Sequence, residues 1–279
     1  MAKIIDGLRI ADEFCAGIRT RVSEIKMNGV NPSLAVINAS GEYSLANINK
    51  VAESVGIRVD VYNFDAQVNS KEIADLIEQL NEDDSVHGIS LKSHLPKSVR
   101  FRELINLIKP DKDVEGLTTL NQGRLFSGEP GMVPCAPLGV IHLIRSIHED
   151  ISGMRAVVLG RSSVVGRPLA QLLLNANCTV TLLHSYSRDL PEICKKADIL
   201  VSAMGHPRFV TEEFVKEGAT VIDVGINKID EDGRMKIVGD VDFENVVSVA
   251  GAITPVPNGV GPMTVAYLMH NTLKLACCY

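Results

Sequence analysis

Short apolar runs alternate with amphipathic segments along this chain, a pattern that predicts strands alternating with helices. In the first half, three apolar runs predict strands: Leu34–Asn38, Ile57–Phe64 and Val86–Leu91. Between the last two, apolar residues at helical spacing predict one buried helix face: Ile73, Leu76, Ile77 and Leu80. Asn69 is the expected N-cap of that helix, because Glu72 follows at the position that completes a capping box. The alternation favours an α/β fold with a mostly parallel sheet covered on both faces.

The second half continues the alternation after a break. Lys109–Pro137 is rich in Asp, Gly and Pro, so we expect a loop and the domain junction there. Beyond it, further apolar runs predict strands: Ala156–Leu159, Thr179–His184, Ala197–Ala203 and Ala219–Ile226. Thr254–Thr264 is a proline–glycine segment, which we expect to be a loop leading into a helix that runs to the tail.

The segment Ala156–Ala170 carries the clearest chemical signal, because it joins a strand, a glycine turn and a helix. Gly160 ends the strand, Gly166 closes the polar loop, and Pro168 lies where the first helical turn begins. Such a unit holds a nucleotide phosphate against a helix N-terminus. The G-x₅-G spacing differs from G-x-G-x-x-G, so a tight turn in any α/β fold is the alternative interpretation.

The next strand favours NADP over NAD as the nucleotide. Thr179–His184 runs into a His-Ser-Tyr-Ser-Arg segment, with no acidic residue to accept a ribose 2′-hydroxyl. Arg161 and Ser162 follow the first strand directly, where they can face a phosphate. Together with Ser185, Arg161 is expected to bind a 2′-phosphate, and Arg188 is a further candidate.

Composition limits the classes of binding partner and the cellular compartment that we expect. The net charge of −6 and the absence of a basic cluster argue against nucleic acid and anionic membranes. No apolar run is long enough to span a membrane, and the N-terminal sequence lacks the features of a secretion signal. The six cysteines form neither a C-x-x-C pair nor a zinc-ligand spacing, so we expect a reduced, cytoplasmic enzyme.

Several motifs occur in a specific order along the chain. They are KIIDG near the start, VHGI at Val86–Ile89, PDKDVEGLTTLNQGRL at Pro110–Leu125, PCAPLGV at Pro134–Val140, GRSSVVGRPLA, HSYS, GHP at Gly205–Pro207, IDVGIN at Ile222–Asn227, GDVDF at Gly239–Phe243 and PNGVGPMT at Pro257–Thr264. In this combination the chain resembles the bifunctional methylenetetrahydrofolate dehydrogenase/methenyltetrahydrofolate cyclohydrolases, the FolD family. The resemblance runs nearly end to end, and the combination is far more specific than any one motif.

The resemblance implies a fold and two reactions. A folate-binding catalytic domain is expected over residues 1–135, with a C-terminal helix, residues 262–279, that returns to it. A Rossmann-like NADP-binding domain is expected over residues 136–261. NADP would take a hydride from 5,10-methylenetetrahydrofolate, and the resulting methenyl cation would be hydrolysed to 10-formyltetrahydrofolate. No metal is needed because the substrate is itself the electrophile, and a homodimer is expected.

The helix near Tyr43 departs from the family pattern. Leu45, Ile48, Ala52 and Val55 predict its core stripe, with Tyr43, Asn47, Lys50 and Ser54 opposite. Ser40 and Tyr43 reproduce the family's S-x-x-Y, so the resemblance assigns Tyr43 to orienting the folate. The family has lysine where Asn47 stands and glutamine where Lys92 stands. We therefore predict an exchanged pair, Asn47 facing Lys92, and favour Lys92 as the catalytic lysine; Lys50 and neither lysine are the alternatives.

The rest of the folate site follows from the resemblance. Glu115 stands in DVEG where the family has DVDG, so its carboxylate is expected to bind the pterin with a longer reach. Asp113 is expected to be structural, and His94 to be a packing or hydrogen-bonding residue. The remaining expected substrate contacts are Leu91, Gly261 and Pro262.

Residues around NADP form the larger predicted set. They are Gly160, Arg161, Ser162, Val165, Gly166, His184, Ser185, Ala203, Gly205, Gly225 and Ile226. Two other functions stay open at this point: a dehydrogenase with weak or lost cyclohydrolase activity, and a non-catalytic NADP-binding protein. A different two-domain dehydrogenase, of the shikimate type, is disfavoured by the VHGI and PVPNGVGPMT segments.

Overall fold

The computed structural model describes residues 2–39, 45–65, 67–93, 95–96, 99–231 and 233–278. The strands are β1 Lys3–Ile4, β2 Ser33–Asn38, β3 Arg58–Asn63, β4 Gly88–Leu91, β5 Arg155–Leu159, β6 Thr179–Leu183, β7 Ile199–Ser202, β8 Thr220–Asp223, β9 Asn227–Glu231, β10 Arg234–Val238 and β11 Ala252–Ile253. The helices are α1 Gly7–Met27, α2 Ala46–Val55, α3 Ser70–Glu82, α4 Phe101–Ile105, α5 Thr119–Ser127, α6 Cys135–Arg145, α7 Gly166–Asn175, α8 Leu190–Cys194, α9 Phe243–Val246 and α10 Val260–Ala276. The predicted α/β class is confirmed.

The chain divides into two compact units. One comprises Asp12–Cys135 and Val265–Tyr279, and the other comprises Met1–Ala11 and Ala136–Thr264. They are called the folate unit and the nucleotide unit, after the ligands that the resemblance implies. The sequence placed residues 1–11 in the first domain, whereas β1 pairs in parallel with β11 of the nucleotide unit. A strand of two residues is too short to show the alternation of polar and apolar positions from which a strand is predicted.

The folate unit is built on a three-stranded parallel sheet in the order β3-β2-β4. Every residue of β2 and β4 is buried, which explains their nearly continuous apolar sequences. The helix α3 has the predicted N-cap, since the Asn69 side chain accepts hydrogen bonds from the N–H groups of Lys71 and Glu72. Its buried face includes Ile73, Ile77 and Leu80, as the spacing predicts.

The C-terminal helix α10 returns to the folate unit, as predicted. Asn271 Nδ2 donates to the carbonyl oxygens of Val114 at 2.9 Å and Val133 at 3.0 Å. The Tyr267 ring lies 4.8 Å from the ring of Phe14, centroid to centroid. The helix begins at Val260, so the last part of the predicted loop Thr254–Thr264 is helical.

The nucleotide unit contains a six-stranded parallel sheet in the order β1-β11-β8-β7-β5-β6. Its core is aliphatic, with Leu159, Leu200 and Val221 fully buried. The antiparallel hairpin β9–β10 stands outside this sheet and was not predicted. In β9 exposed Lys228 and Asp230 alternate with half-exposed residues, and in β10 every residue before Val238 is exposed, so neither strand has the buried face that makes a strand predictable.

The predicted loop Lys109–Pro137 is wrong in part, because it contains α5 and the start of α6. Thr118 caps α5 by accepting the N–H of Asn121, and Gly128 ends it in the left-handed conformation. Only Asn121 and Leu125 of that helix are buried, so its sequence lacks the apolar face that predicts a helix.

Candidate active site

The nucleotide unit has a topological switch point at the carboxyl end of β5. The chain passes from β5 to β6 on one side and then crosses to β7 on the other, so β5 lies between them. Gly160 follows β5 and Ala203 follows β7, and the Ala203 N–H donates to the Leu159 carbonyl oxygen at 2.7 Å. In open parallel sheets ligands bind at such a point, outside the carboxyl ends of the strands.

The turn after β5 requires glycine at two positions. Gly160 has φ +113°, and a Cβ there would lie 2.2 Å from the Ala203 carbonyl oxygen. A Cβ at Gly166 would lie 1.9 Å from the Gly160 carbonyl oxygen. These contacts bring the N-terminus of α7 directly against the turn, which explains why a G-x₅-G spacing serves here. The cradle fits a phosphate group, because the positive end of the helix dipole attracts anions.

Ser162 organises the loop between these glycines. Its Oγ accepts the N–H of Val165 at 3.1 Å and of Gly166 at 3.4 Å, at the entrance of α7. The predicted residues Ser162 and Val165 therefore lie at the helix N-terminus together with Gly166. A hydroxyl at this position can donate a hydrogen bond to a bound phosphate oxygen while its oxygen accepts from the backbone.

Cationic and aromatic groups lie beyond the ends of β5 and β6. The Arg161 guanidinium lies 5.7 Å from the centre of the Tyr186 ring, and both side chains are exposed. His184 Nδ1 accepts the Tyr186 N–H at 3.2 Å, and the His184 N–H donates to Ser187 Oγ at 3.0 Å. Ser185 is exposed between them. Tyr186 was not predicted as a site residue, although the HSYS segment contains it.

A buried carboxylate supports the turns that follow β7 and β8. Asp240 Oδ2 accepts the N–H groups of Met204 at 2.7 Å and Gly205 at 3.1 Å, and Asp240 Oδ1 accepts Asn227 Nδ2 at 2.9 Å. The predicted residues Ala203, Gly205, Gly225 and Ile226 lie in or beside these turns. Sequence reasoning missed Asp240, although it lies in the GDVDF motif.

A second carboxylate, that of Asp223, lies beside Asp240 and is also buried. Its oxygens accept the N–H groups of Gly225 at 2.9 Å, Asp240 at 3.0 Å and Val241 at 2.8 Å. Burial nevertheless raises the pKa of Asp223 to about 6, and the charge of Asp240 adds to the shift.

In the folate unit, Lys92 and Glu115 form an ion pair. Lys92 follows β4, and its Nζ lies 3.0 Å from Glu115 Oε1; the Ser90 hydroxyl donates to the same oxygen. The two charged side chains are 11% and 21% exposed, so the pair is largely shielded from water. Segment 112–115 reaches this position because the Ile89 N–H donates to the Lys112 carbonyl oxygen at 2.8 Å.

The neighbouring Asp113 has a structural role, as the sequence predicts. It is fully buried and accepts the N–H groups of Leu117 at 3.1 Å and Thr118 at 2.8 Å, and Asn121 Nδ2 at 2.9 Å. These bonds fold the DVEG turn and hold the start of α5. Lys112 is buried as well, and desolvation lowers its pKa. Its ammonium group donates to the Leu80 carbonyl oxygen at 2.9 Å and to that of Asp83 at 2.7 Å.

The predicted pair between Asn47 and Lys92 stays a prediction. Asn47 and Lys50 lie on the exposed face of α2, opposite its buried residues, and Lys92 forms an ion pair with Glu115, a partner that was not predicted. A carboxylate is a stronger partner for lysine than an amide, because hydrogen bonds between two charged groups are stronger than those to a neutral amide. Tyr43, Ser40 and His94 lie outside the described residues.

The other predicted substrate contacts are in different settings. Leu91 is buried in β4, so its side chain belongs to the core of the folate unit. Gly261 and Pro262 lie in the first turn of α10 and are half-buried. Across the ranges described above, no group of three or more His, Cys, Asp or Glu side chains could hold a metal ion. No helix within those ranges is both long and apolar enough to cross a membrane.

Two family models match the chain. Residues 5–115 match the catalytic domain of tetrahydrofolate dehydrogenase/cyclohydrolase, and residues 134–278 match the NAD(P)-binding domain of the same family. The bifunctional protein FolD of Ehrlichia ruminantium (strain Gardel) is 46% identical over 98% of this chain and 94% of that protein. Bifunctional protein FolD 2 of Paracoccus denitrificans is 47% identical over 99% of this chain and 92% of that protein.

Solved structures agree with these matches. The bifunctional FolD enzyme of Campylobacter jejuni superposes with a TM-score of 0.95 at 39% identity, covering 100% of this chain and 99% of that one. The FolD enzyme of Trypanosoma brucei, complexed with NADP cofactor and inhibitor, has a TM-score of 0.95 at 33% identity, covering 99% and 98%.

Proposed function

The chain belongs to the tetrahydrofolate dehydrogenase/cyclohydrolase family, and we propose the following division of work between its two units. The enzyme oxidises 5,10-methylenetetrahydrofolate with NADP and hydrolyses the 5,10-methenyltetrahydrofolate formed to 10-formyltetrahydrofolate, in one-carbon metabolism. The observation that carries the proposal is the glycine cradle at the switch point of the parallel sheet, where Gly160 and Gly166 allow the backbone approach that a bound dinucleotide needs. The family matches over residues 5–115 and 134–278 support the assignment.

The nucleotide unit binds and orients the cofactor in this proposal. The N-terminus of α7 with Ser162 receives the diphosphate, and Arg161 with Ser185 receives the 2′-phosphate. The turns at Ala203–Gly205 and Gly225–Ile226 form the other side of the cofactor site. When bound, NADP supplies the hydride acceptor. These residues contribute by alignment, since hydride transfer depends chiefly on the distance and orientation of the reacting carbons.

The folate unit contributes the hydrolytic chemistry. Water must attack the cationic one-carbon bridge, and the proton that it releases needs an acceptor. In the pair with Glu115 the Lys92 group is an ammonium. The cationic substrate beside it disfavours that charged form, so Lys92 releases one proton to solvent, and the neutral amine, still held by Glu115, is assigned as the acceptor of the proton from water. Tyr43 is assigned to orienting the folate. Glu115 is assigned two roles: it holds Lys92, and it binds the pterin.

A paired assay tests the proposal most simply. Purified protein is given methylenetetrahydrofolate with NADP and, separately, with NAD, and methenyltetrahydrofolate decay is followed without either nucleotide. We expect NADP-dependent oxidation that exceeds the NAD-dependent rate, together with catalysed decay. Oxidation without catalysed decay would identify a dehydrogenase alone. Saturable NADP binding without oxidation would identify a non-catalytic binding protein.

We further propose that the enzyme is a cytoplasmic homodimer. The cysteines among the described residues are free thiols, which is typical of a reducing compartment. Size-exclusion chromatography with light scattering tests the dimer, since a single species at the mass of one chain would contradict it. Fractionation of cells that express a tagged full-length chain tests the compartment.

A further inference from the structure

Asp240 lies at the point where the turns after β7 and β8 meet. We propose that Asp240 is a positioning residue for the cofactor: its carboxylate fixes both turns and thereby sets the affinity of the nucleotide unit for NADP. The inference rests on the proposed function and deepens it. It names a residue that sets the affinity for NADP although it is not among the residues predicted to contact NADP.

Asp240 is fully buried, and both its carboxylate oxygens accept hydrogen bonds. One oxygen accepts the backbone N–H groups of Met204 and Gly205 and the hydroxyl of Ser202, at 2.7 Å, 3.1 Å and 3.2 Å. The other accepts Asn227 Nδ2 at 2.9 Å. One side chain therefore joins two loops that are separate in sequence, and it supplies the negative charge that strengthens every one of these bonds.

The first of these loops forms a wall of the glycine cradle. A Cβ on Gly160 would lie 2.2 Å from the Ala203 carbonyl oxygen. A movement of the turn 203–205 by a few tenths of an ångström would therefore change the space beside Gly160. Because Asp240 holds the next two N–H groups of that turn, it limits this movement.

The surroundings leave little room for any other side chain. A Cβ at Gly225 would lie 2.2 Å from Asp240 Oδ1, and a Cβ at Gly239 would lie 1.8 Å from Asp223 Oδ2. Glycines on both sides thus admit the carboxylates. Asp223 also accepts the Asp240 N–H at 3.0 Å, so the backbone that carries Asp240 is itself fixed.

Two substitutions and a control test the proposal. Asp240→Asn keeps the shape but removes the charge, and Asn227→Ala removes only the link to the loop after β8. The matched control is Asp242→Asn, two residues from Asp240, where the carboxylate accepts only Asn245 Nδ2 among the bonds that the structure gives it. NADP affinity is measured by titration calorimetry, and methenyltetrahydrofolate hydrolysis is measured without nucleotide. The thermal midpoint of each variant reports folding.

Positioning predicts a graded result. Asp240→Asn should raise the Kd for NADP about tenfold, since charge-assisted hydrogen bonds are replaced by neutral ones. Asn227→Ala should raise it roughly threefold, because a single hydrogen bond is lost. Hydrolysis should stay within about twofold in both variants. Asp242→Asn should leave the Kd for NADP and the rate of hydrolysis unchanged.

Two results would overturn the proposal: an unchanged Kd in a folded Asp240→Asn protein, or equal losses of NADP affinity and hydrolysis. If Asp240→Asn does not fold, Asn227→Ala decides, because it leaves the bonds to Met204 and Gly205 in place. Wild-type protein that binds NADP but fails to oxidise methylenetetrahydrofolate would instead contradict the proposed function. The Kd series would still test Asp240 in that case.

Discussion

The candidate sites in the two units are formed by different chemical groups. In the nucleotide unit, backbone groups form the site: a glycine turn, the N-terminus of α7 and turns held by the buried Asp240. In the folate unit, side chains form it, since Glu115 meets Lys92 and Ser90 at the end of β4. The first arrangement is sensitive to any added atom. The second is sensitive to chemical identity and charge.

This difference teaches that each reaction should be separable from the other by substitution. A change that closes the glycine cradle should affect cofactor binding and leave hydrolysis intact. A change that removes the Lys92 amine should affect hydrolysis and leave NADP binding intact. The experiments below either sharpen this contrast or break it.

The largest effect is expected from Lys92→Met. Removing the group that accepts a proton from the attacking water should lower hydrolysis by roughly 10²- to 10⁴-fold. Oxidation should change by less than about threefold, because it depends on alignment. The matched control is Lys50→Met, which alters an exposed lysine on α2 and should leave both rates unchanged. The assignment of Lys92 is contradicted if Lys50→Met abolishes hydrolysis while Lys92→Met does not.

Gly160→Ala should weaken NADP binding by about 100-fold, because the new Cβ forces the turn away from Ala203 and the backbone conformation is strained. Titration of NADP measures the loss. Gly17→Ala is the control: Gly17 lies in α1, and a Cβ there meets nothing within 4 Å. That substitution should leave binding unchanged and stabilise the helix by up to about 1 kcal/mol. Equal binding by Gly160→Ala and wild type would disprove the cradle.

Glu115→Gln should lower hydrolysis about tenfold, because the Lys92 amine loses the carboxylate that holds it. Single-turnover decay of methenyltetrahydrofolate measures this effect. Glu103→Gln removes an exposed carboxylate that pairs with Arg100, and such surface pairs contribute little. If both substitutions lower the rate to the same degree, Glu115 has no specific role.

The smallest effect concerns the pH dependence of stability. Because the pKa of Asp223 is raised to about 6, the protonated carboxyl stabilises the fold below the unfolded-state value of 3.8. That contribution is lost as the pH rises through about 6. Between pH 5 and pH 7 the loss amounts to about 1 kcal/mol. Urea unfolding at several pH values measures it, and Asp223→Asn should remove this part of the slope; an unchanged slope would contradict the assignment.

The sequence predicted the backbone-built region better than the side-chain-built one. The G-x₅-G turn between a strand and a helix, the strand that follows and the return of α10 were predicted from periodicity and from the family resemblance. The partner of Lys92 does not, because which polar side chains meet depends on tertiary contacts such as that between Ile89 and Lys112. Asp240 was missed for the same reason, since the backbone N–H groups that it accepts, those of Met204 and Gly205, are more than 30 residues away. The helix α5 was missed because its stability comes from Thr118 and Asp113 rather than from an apolar face.

The central claim is that the two reactions depend on separately built regions. Both rates should be measured on wild type, Gly160→Ala and Lys92→Met, with oxidation assayed at fixed NADP and hydrolysis assayed without nucleotide. We predict crossed losses: Gly160→Ala loses oxidation and keeps hydrolysis, whereas Lys92→Met keeps oxidation and loses hydrolysis. Parallel losses of both rates in either folded variant would contradict the claim.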